Sequence, residues 1–328
     1  MHTLQPPGPT PCPPLPTRLH STHSTCREWV RADGSSAFPP AAGRYRLYVS
    51  LACPWACRCL SARKLKGLED AIDIAVVNPV WERTKPDDAD DVHRGWVFTP
   101  GEGVVPDPEW GVRSVRELYE RAGADVAKFT VPVLFDTHTK SIVNNESADI
   151  FRMLNREFNS VAQHPEVDLC PDDLVAAIDY TNEWVYTINN GVYKAGFATK
   201  QEPYVRAIEE LYESLDRAED ILSRQRYLVD PARMTESDIR LFVTLVRFDP
   251  VYSVHFKCAK RRIAEYPALL GYMRDMYQTC GLQGTVNMSH IKNHYYRSHP
   301  TVNPYGIVPV TAPQHLDAPH GREGLMRA

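Results

Sequence analysis

A chain of 328 residues is too long for one small domain and comfortable for two, and its 43% apolar and 24% charged residues give it the means to bury a sizeable core. A net charge of −4 provides no basic field, which argues against nucleic acid as the main partner. No run of about 18 apolar residues is present, which argues against a transmembrane helix.

The start, "MHTLQPPGPTPCPPLPTRLHSTHSTC", is crowded with prolines and has no apolar core of a secretory signal. Residues 1–42 read as a disordered tail. Because the start is basic and almost free of acids, an organellar transit peptide is the alternative reading. Order begins with "YRLYVSLA", an apolar, β-rich run that predicts a buried strand. "PWACRCLSARKLKGL" then predicts a helix. Pro54 suits its first turn, where a missing N–H costs nothing, and Gly67 suits its stop. "AIDIAVVNPV" predicts a second strand, so the opening is a β-α-β unit.

Residues 79–128 are irregular, with Pro, Gly and Asp turn signals and one short helix at "SVRELYERAG". "FTVPVLFD" and "SIVNN" predict a hairpin, with Pro132 at the start of an edge strand. "ESADIFRMLNREF" predicts a helix with Ile150, Phe151, Leu154 and Phe158 on one side. From about residue 171 helical periodicity takes over, in "DDLVAAIDYTNEWVYTINNGVY", "EPYVRAIEELYESLDRAEDIL", "TESDIRLFVTLVRFD" and "YPALLGYMRDMYQ". Thr235 with Asp238 forms a variant capping box at one helix start. The expected organisation is a tail (1–42), an α/β domain (43–160) and an all-α domain with a C-terminal extension (171–328). The apolar residues of "VNPYGIVPV" suggest that the extension packs somewhere.

Eight cysteines show no framework spacing, which fits a reducing, cytoplasmic compartment. Three of them fall within seven positions. Cys53 sits where a buried strand meets a helix start. Unpaired N–H groups and the partial positive charge there lower a thiol's pKa. The bland alternative is a small buried hydrophobe, and that reading is preferred for Cys57 and Cys59, deeper in the helix. The spacing is C-x-x-x-C rather than C-x-x-C, so the chemistry expected of Cys53 is monothiol: attack on a sulfur, then release by a separate thiol. No second cysteine pair completes a zinc site, and the His290–His294 pair lacks the glutamate of a zinc-peptidase helix, so no metal is expected.

Opposite this thiol, a cis Val131–Pro132 bond would turn the Val131 backbone outward to pair with an extended peptide. Glu146 and Ser147 open another helix, placed either to hold the charged terminus of a ligand or simply to cap the helix. A thiolate, a strand-like edge and a terminus binder together suit a small thiol peptide.

"GRYRLYVSLACPWACR", "GWVF", "TVPVLFD", "VNNESADI", "NNGVYKAGFA", "RFDPVY", "HFKC" and "HIKNHYYRSH" resemble the glutathionyl-hydroquinone reductases, the Xi class of glutathione transferases, over about residues 43–310. The resemblance implies a thioredoxin-like domain followed by a helical domain, assembled as a homodimer. It implies that Cys53 takes glutathione from an S-glutathionyl hydroquinone and that a second glutathione resolves the mixed disulfide. Trp96, the Val131 backbone, Glu146 and Ser147 would hold glutathione. Tyr193, Tyr252 and Tyr295 would line the pocket for the aromatic ring. Lys128 stands where the family usually has arginine for the glutathione carboxylate, and a point charge without a bidentate fork predicts weaker binding. The stretch 79–95 is longer than the family pattern, and a Cys53–Cys57 disulfide under oxidation is an expectation particular to this chain. The competing readings are a conjugating or thiol-transferase-type omega-like transferase and a non-catalytic assembly module.

Overall fold

The computed structural model describes residues 26–326. Four strands form one sheet: β1 (Tyr45–Val49), β2 (Ile72–Val76), β5 (Val133–Asp136) and β6 (Ser141–Asn144). Their spatial order is β2-β1-β5-β6, with β1 and β2 parallel and the other pairs antiparallel. α1 (Pro54–Leu65) makes the parallel crossover. Lys66 closes it, and Gly67 follows at φ +61°, a left-handed conformation that glycine adopts without strain.

Side chains alternate across β1. Tyr45, Leu47 and Val49 join α1 and α3 (Ser147–Arg156) in the larger core. Tyr48 faces the other way, with Val115, Leu118 and Tyr119 of α2 (Val115–Arg121). Pro132 precedes the first ladder pair, Tyr48–Val133, so the ring costs the sheet no hydrogen bond. The strand it introduces is an inner one, not the edge strand expected, because β6 covers its far side.

A two-stranded hairpin, β3 (Glu82–Arg83) with β4 (Arg94–Gly95), organises the irregular stretch. Arg116 of α2 clamps it through Asp91 at 2.6 Å, and the Thr84 hydroxyl bonds His93 Nδ1 at 2.9 Å.

The second half is helical: α4 (Val175–Gly196), α5 (Gln201–Arg224), α6 (Glu236–Arg247), the three-residue α7 (Ser253–His255), α8 (Pro267–Gln278) and α9 (Met288–Ser298). A π turn, Phe248–Tyr252, links α6 to α7. The capping box of α6 is complete and buried, with the Thr235 N–H on the Asp238 carboxylate at 2.8 Å. This is the fold class expected from the sequence, an α/β half followed by an all-α half.

The ends differ from expectation. Residues 1–25, with the proposed disordered tail or transit peptide, lie outside the described residues. Residues 26–42, assigned by composition to the same tail, are packed. Arg27 pairs with Asp149 at 2.5 Å, Val30 is fully buried, and the Ala32 N–H donates to Glu157 at 2.9 Å. Lack of periodicity hid the anchors: α3 and its C-cap offer the acids Asp149 and Glu157, and the segment covers them. In the C-terminal extension the apolar run is mostly outside, with Tyr305, Ile307 and Val310 exposed. The extension is tied down later, by buried Arg322, which donates to the carbonyls of Leu222 and Gln225.

Candidate functional site

The site lies where the two halves meet. Cys53 is the N-cap of α1, with extended backbone and no side-chain cap bond. Its thiol points at the Val131 carbonyl, 3.6 Å away, and the Val131–Pro132 bond is cis. Burial pushes the Cys53 thiol up from its ordinary pKa. The N–H groups of Ala56 and Trp55 and the charge of Arg247 act in the other direction. The helix start therefore assists the thiolate as expected, but its pull is outweighed by loss of water. Cys57 and Cys59 are fully buried, with sulfurs directed at Thr285 O (3.3 Å) and Ser147 O (3.6 Å). The Cys53 and Cys57 sulfurs thus face different partners, which runs against the expected disulfide.

The first turn of α1 touches the helical half directly. The Trp55 ring lies 5.0 Å from the ring of Tyr193 on α4. Tyr193 and Tyr252 both reach the hydroxyl of Tyr295 on α9, the latter at 3.0 Å. All three phenols are pushed above their ordinary pKa, chiefly by burial, so they are protonated donors at neutral pH. Both Tyr193 and Tyr252 lie close enough to Cys53 to feel a charge on its sulfur. Gly196 makes the packing possible, because a Cβ there would overlap the Phe256 ring that lies against Tyr193 and Tyr252.

The remaining expected residues are placed as follows. Trp96 is buried and stacks on His294, with ring centroids 4.5 Å apart. Glu146 is the N-cap of α3: its carboxylate accepts from the Ala148 N–H at 3.2 Å and the Ser147 hydroxyl at 3.4 Å. The capping reading of that pair is realised, and a ligand would share the same carboxylate. Lys128 is exposed, four residues before Pro132, and among the described residues it makes no ion pair.

Three features escaped the sequence reading. His255, His294 and His299 form a buried group with Trp81 and Trp96. The His255–His299 nitrogens are 3.1 Å apart, and His294 Nδ1 bonds the Pro79 carbonyl at 2.9 Å. Burial pushes these imidazoles down, to about 4 for His255 and His299 and about 3 for His294, so they are neutral at physiological pH. Trp81, next to the hairpin, is thereby wedged against His294 of α9, with ring centroids 5.2 Å apart. Arg247 is the third feature, fully buried at the end of α6. The available signal was a lone charge in the apolar run "LFVTLVRF". Among the described residues no three His, Cys, Asp or Glu side chains gather to hold a metal ion, and no helix is long and apolar enough to cross a membrane.

The chain matches the glutathione S-transferase N-terminal domain over residues 52–157 and the C-terminal domain over residues 193–275. It is 47% identical to the glutathionyl-hydroquinone reductase YqjG of Escherichia coli over 93% of this chain and 92% of that protein. The glutathione-bound structure of YqjG superposes with a TM-score of 0.85, covering 91% of this chain and 96% of that one. The glutathionyl-hydroquinone reductase PcpF of Sphingobium chlorophenolicum is 44% identical, over 90% of this chain and 94% of its own length. The structure of a Xi-class transferase from Natrialba magadii is 48% identical with a TM-score of 0.87, covering 94% of each chain. With its cysteine at the helix start, its cis-proline loop and its helical half, this chain belongs to the glutathionyl-hydroquinone reductases, the Xi class of the glutathione S-transferase family.

Proposed function

We infer that the protein reduces S-glutathionyl hydroquinones to hydroquinones, using glutathione as co-substrate. The observation that carries the reading is the thiol at the start of α1, Cys53, set between a peptide-pairing backbone at Val131 and a buried trio of tyrosine hydroxyls.

The step balances as follows. The Cys53 sulfur attacks the glutathione sulfur of the conjugate, and an S–S bond forms as the sulfur–ring-carbon bond breaks. The bonding pair stays on the carbon, which takes a proton from a tyrosine hydroxyl. The proton given up by the Cys53 thiol balances the one gained by the ring. A second glutathione then attacks the mixed disulfide, releasing glutathione disulfide and restoring the thiol. Overall, the two electrons that reduce the ring carbon come from the two glutathione sulfurs that end as glutathione disulfide, one from each; Cys53 gives its electron in the first step and regains it on resolution.

Residue roles follow from position. The Val131 N–H and C=O pair with the glutathione backbone as a strand would. The α3 start receives its α-carboxylate, with Ser147 there to donate, and Glu146 accepts from its α-amino group. Trp96 covers the bound peptide, and Lys128 supplies a mobile cation for the glycyl carboxylate. Tyr193, Tyr252 and Tyr295 hydrogen-bond the ring oxygens. A cytoplasmic homodimer is the proposed working state.

The experiment mixes the protein with a glutathionyl hydroquinone and excess glutathione, and follows free hydroquinone by chromatography beside Cys53→Ala. Release by the wild type and none by the variant is the expected result. Equal release by both would remove Cys53 from the chemistry.

A further inference from the structure

Arg247 is wholly buried, and its guanidinium is spent on backbone carbonyls. Nε donates to Ala52 at 3.0 Å, Nη2 to Leu51 at 3.3 Å and Nη1 to Val243 at 2.7 Å. Two other buried arginines reach acids, Arg46 with Asp73 and Glu109 and Arg322 with Asp275, whereas buried Arg58, like Arg247, does not. Among the described residues Arg247 has no carboxylate within ion-pair distance, an arrangement that costs stability unless something else is gained. Two of its three acceptors are the residues immediately before Cys53. The neighbours that feel its charge are groups that become anionic: Cys53 and Cys57 on α1, Tyr252 on the π turn and Tyr295 on α9. His294 also faces it, and its protonated form is repelled.

We propose that Arg247 is the fixed counter-cation of the site, a positioning residue that holds the Leu51–Ala52 turn and stabilises the negative charge formed on Cys53 as it attacks. This rests on the reading of Cys53 as the nucleophile. The cation is anchored by three carbonyls, two of them on the turn that carries Cys53; among the thiols it interacts most strongly with Cys57, with which it shares a side-chain hydrogen bond, and acts on Cys53 through its charge. It also enters from α6, so the helical half, not only the α1 start, sets the reactivity of the thiol. The other groups that face Cys53 are Tyr193 from α4 and Tyr252 from the π turn, both held protonated by burial, and the thiols of Cys57 and Cys59 from α1. Arg58, the cation of α1 nearest this turn in sequence, lies beside Cys59 and spends its Nη2 on Asn189 at 2.7 Å.

The test is the pH dependence of iodoacetamide alkylation, read by mass spectrometry on the separate Cys53 and Cys57–Cys59 peptides. Wild type is compared with R247K, R247Q and R247M. In R247Q and R247M the Cys53 midpoint moves up by about one pH unit or more, as loss of a nearby opposite charge requires. In R247K it stays near the wild-type value, even where thermal stability falls. An unmoved midpoint in folded R247Q, or an R247K midpoint that moves as far as R247Q, overturns the proposal and leaves Arg247 a clamp on the turn. If neither neutral variant folds, R247K is read against wild type, and a Cys53 midpoint raised by about one pH unit there overturns the proposal. Wild-type protein alkylated only at Cys53 is assayed in parallel. Retained hydroquinone release there would sink the nucleophile reading without bearing on what Arg247 does to the thiol.

Discussion

Replacing Tyr295 by phenylalanine removes one oxygen and separates proton delivery from sulfur chemistry. The Tyr295 hydroxyl is the hub of the trio, in contact with Tyr193 and 3.0 Å from Tyr252. Three phenols bring three protons, and the two contacts through Tyr295 consume two, so one O–H is left for substrate. Without the hub, Tyr193 and Tyr252 lose a partner in a buried setting, a stability loss of about 1–3 kcal/mol. General-acid assistance is worth about 10²–10⁴ in rate, so kcat for hydroquinone release falls by that factor. A second substrate, the mixed disulfide of glutathione and mercaptoethanol, passes through the same Cys53–glutathione intermediate. Its leaving group is a thiolate that carries its own charge and needs no proton on carbon. Y295F is therefore expected to keep most of its activity on the disulfide. If both activities fall together, Tyr295 acts through the fold or the thiol rather than as a donor. If hydroquinone release stays within about threefold of wild type, the hub is not part of the acid at all.

Acid sensitivity follows from the imidazole group. Histidines whose pKa is depressed on folding are protonated first in the unfolded chain, so stability falls as pH drops below about 6.5 and keeps falling toward 3–4. At pH 5 each contributes a loss of about 2 kcal/mol. Urea unfolding at pH 7 and pH 5 is expected to show H299N losing less between the two than wild type does, and parallel losses would refute the assignment. Lys128→Arg supplies the bidentate fork that lysine lacks and is expected to lower the KM for glutathione by about 3- to 10-fold with kcat unchanged. An unaltered KM would place the glycyl carboxylate elsewhere. Thr235→Ala breaks a buried capping box and costs about 1–2 kcal/mol by chemical denaturation, with catalytic parameters intact in the folded fraction.

Much of this was legible from local rules. The parallel β1–α1–β2 unit followed from a β-rich run, a proline suited to a helix's first turn and a glycine suited to its stop, because each is a local backbone demand. The α6 start was readable from Thr235 and Asp238 for the same reason. The three tyrosines were not readable by any such rule: sixteen tyrosines have similar surroundings in sequence, and only the family motif selected Tyr193, Tyr252 and Tyr295. What the motif did not supply was their mutual contact, which depends on α4, the π turn and α9 converging. Residues 26–42 were misjudged because a segment without periodicity, next to a proline-rich one, can be ordered by the surface it covers, and that surface, α3 and its C-terminal end, lies more than a hundred residues away. The pKa of Cys53 shows the limit most clearly. Position at a helix start gives one contribution, of known sign; the burial that outweighs it comes from packing against both core clusters, which no local pattern reveals.

That burial fits the proposed chemistry better than a free thiolate would. Attack on the conjugate ends with one proton fewer on sulfur and one more on carbon, so the enzyme needs no net proton from solvent in that step. A thiol held neutral at rest, with tyrosine donors close enough to sense its charge, keeps both ends of the exchange within one buried site. The cost of such a site is that negative charge must exist transiently where water is scarce. Two fixed features meet that cost from opposite halves of the protein: the Trp55 and Ala56 N–H groups at the start of α1, and the Arg247 guanidinium at the end of α6. Neither half contains the complete arrangement. The thiol and the peptide-pairing edge belong to the sheet domain, and the proton donors and the cation to the helical one. The tie from Arg247 to Leu51 and Ala52 therefore does more than join domains, since it fixes the distance between the charge that forms and the charge that answers it.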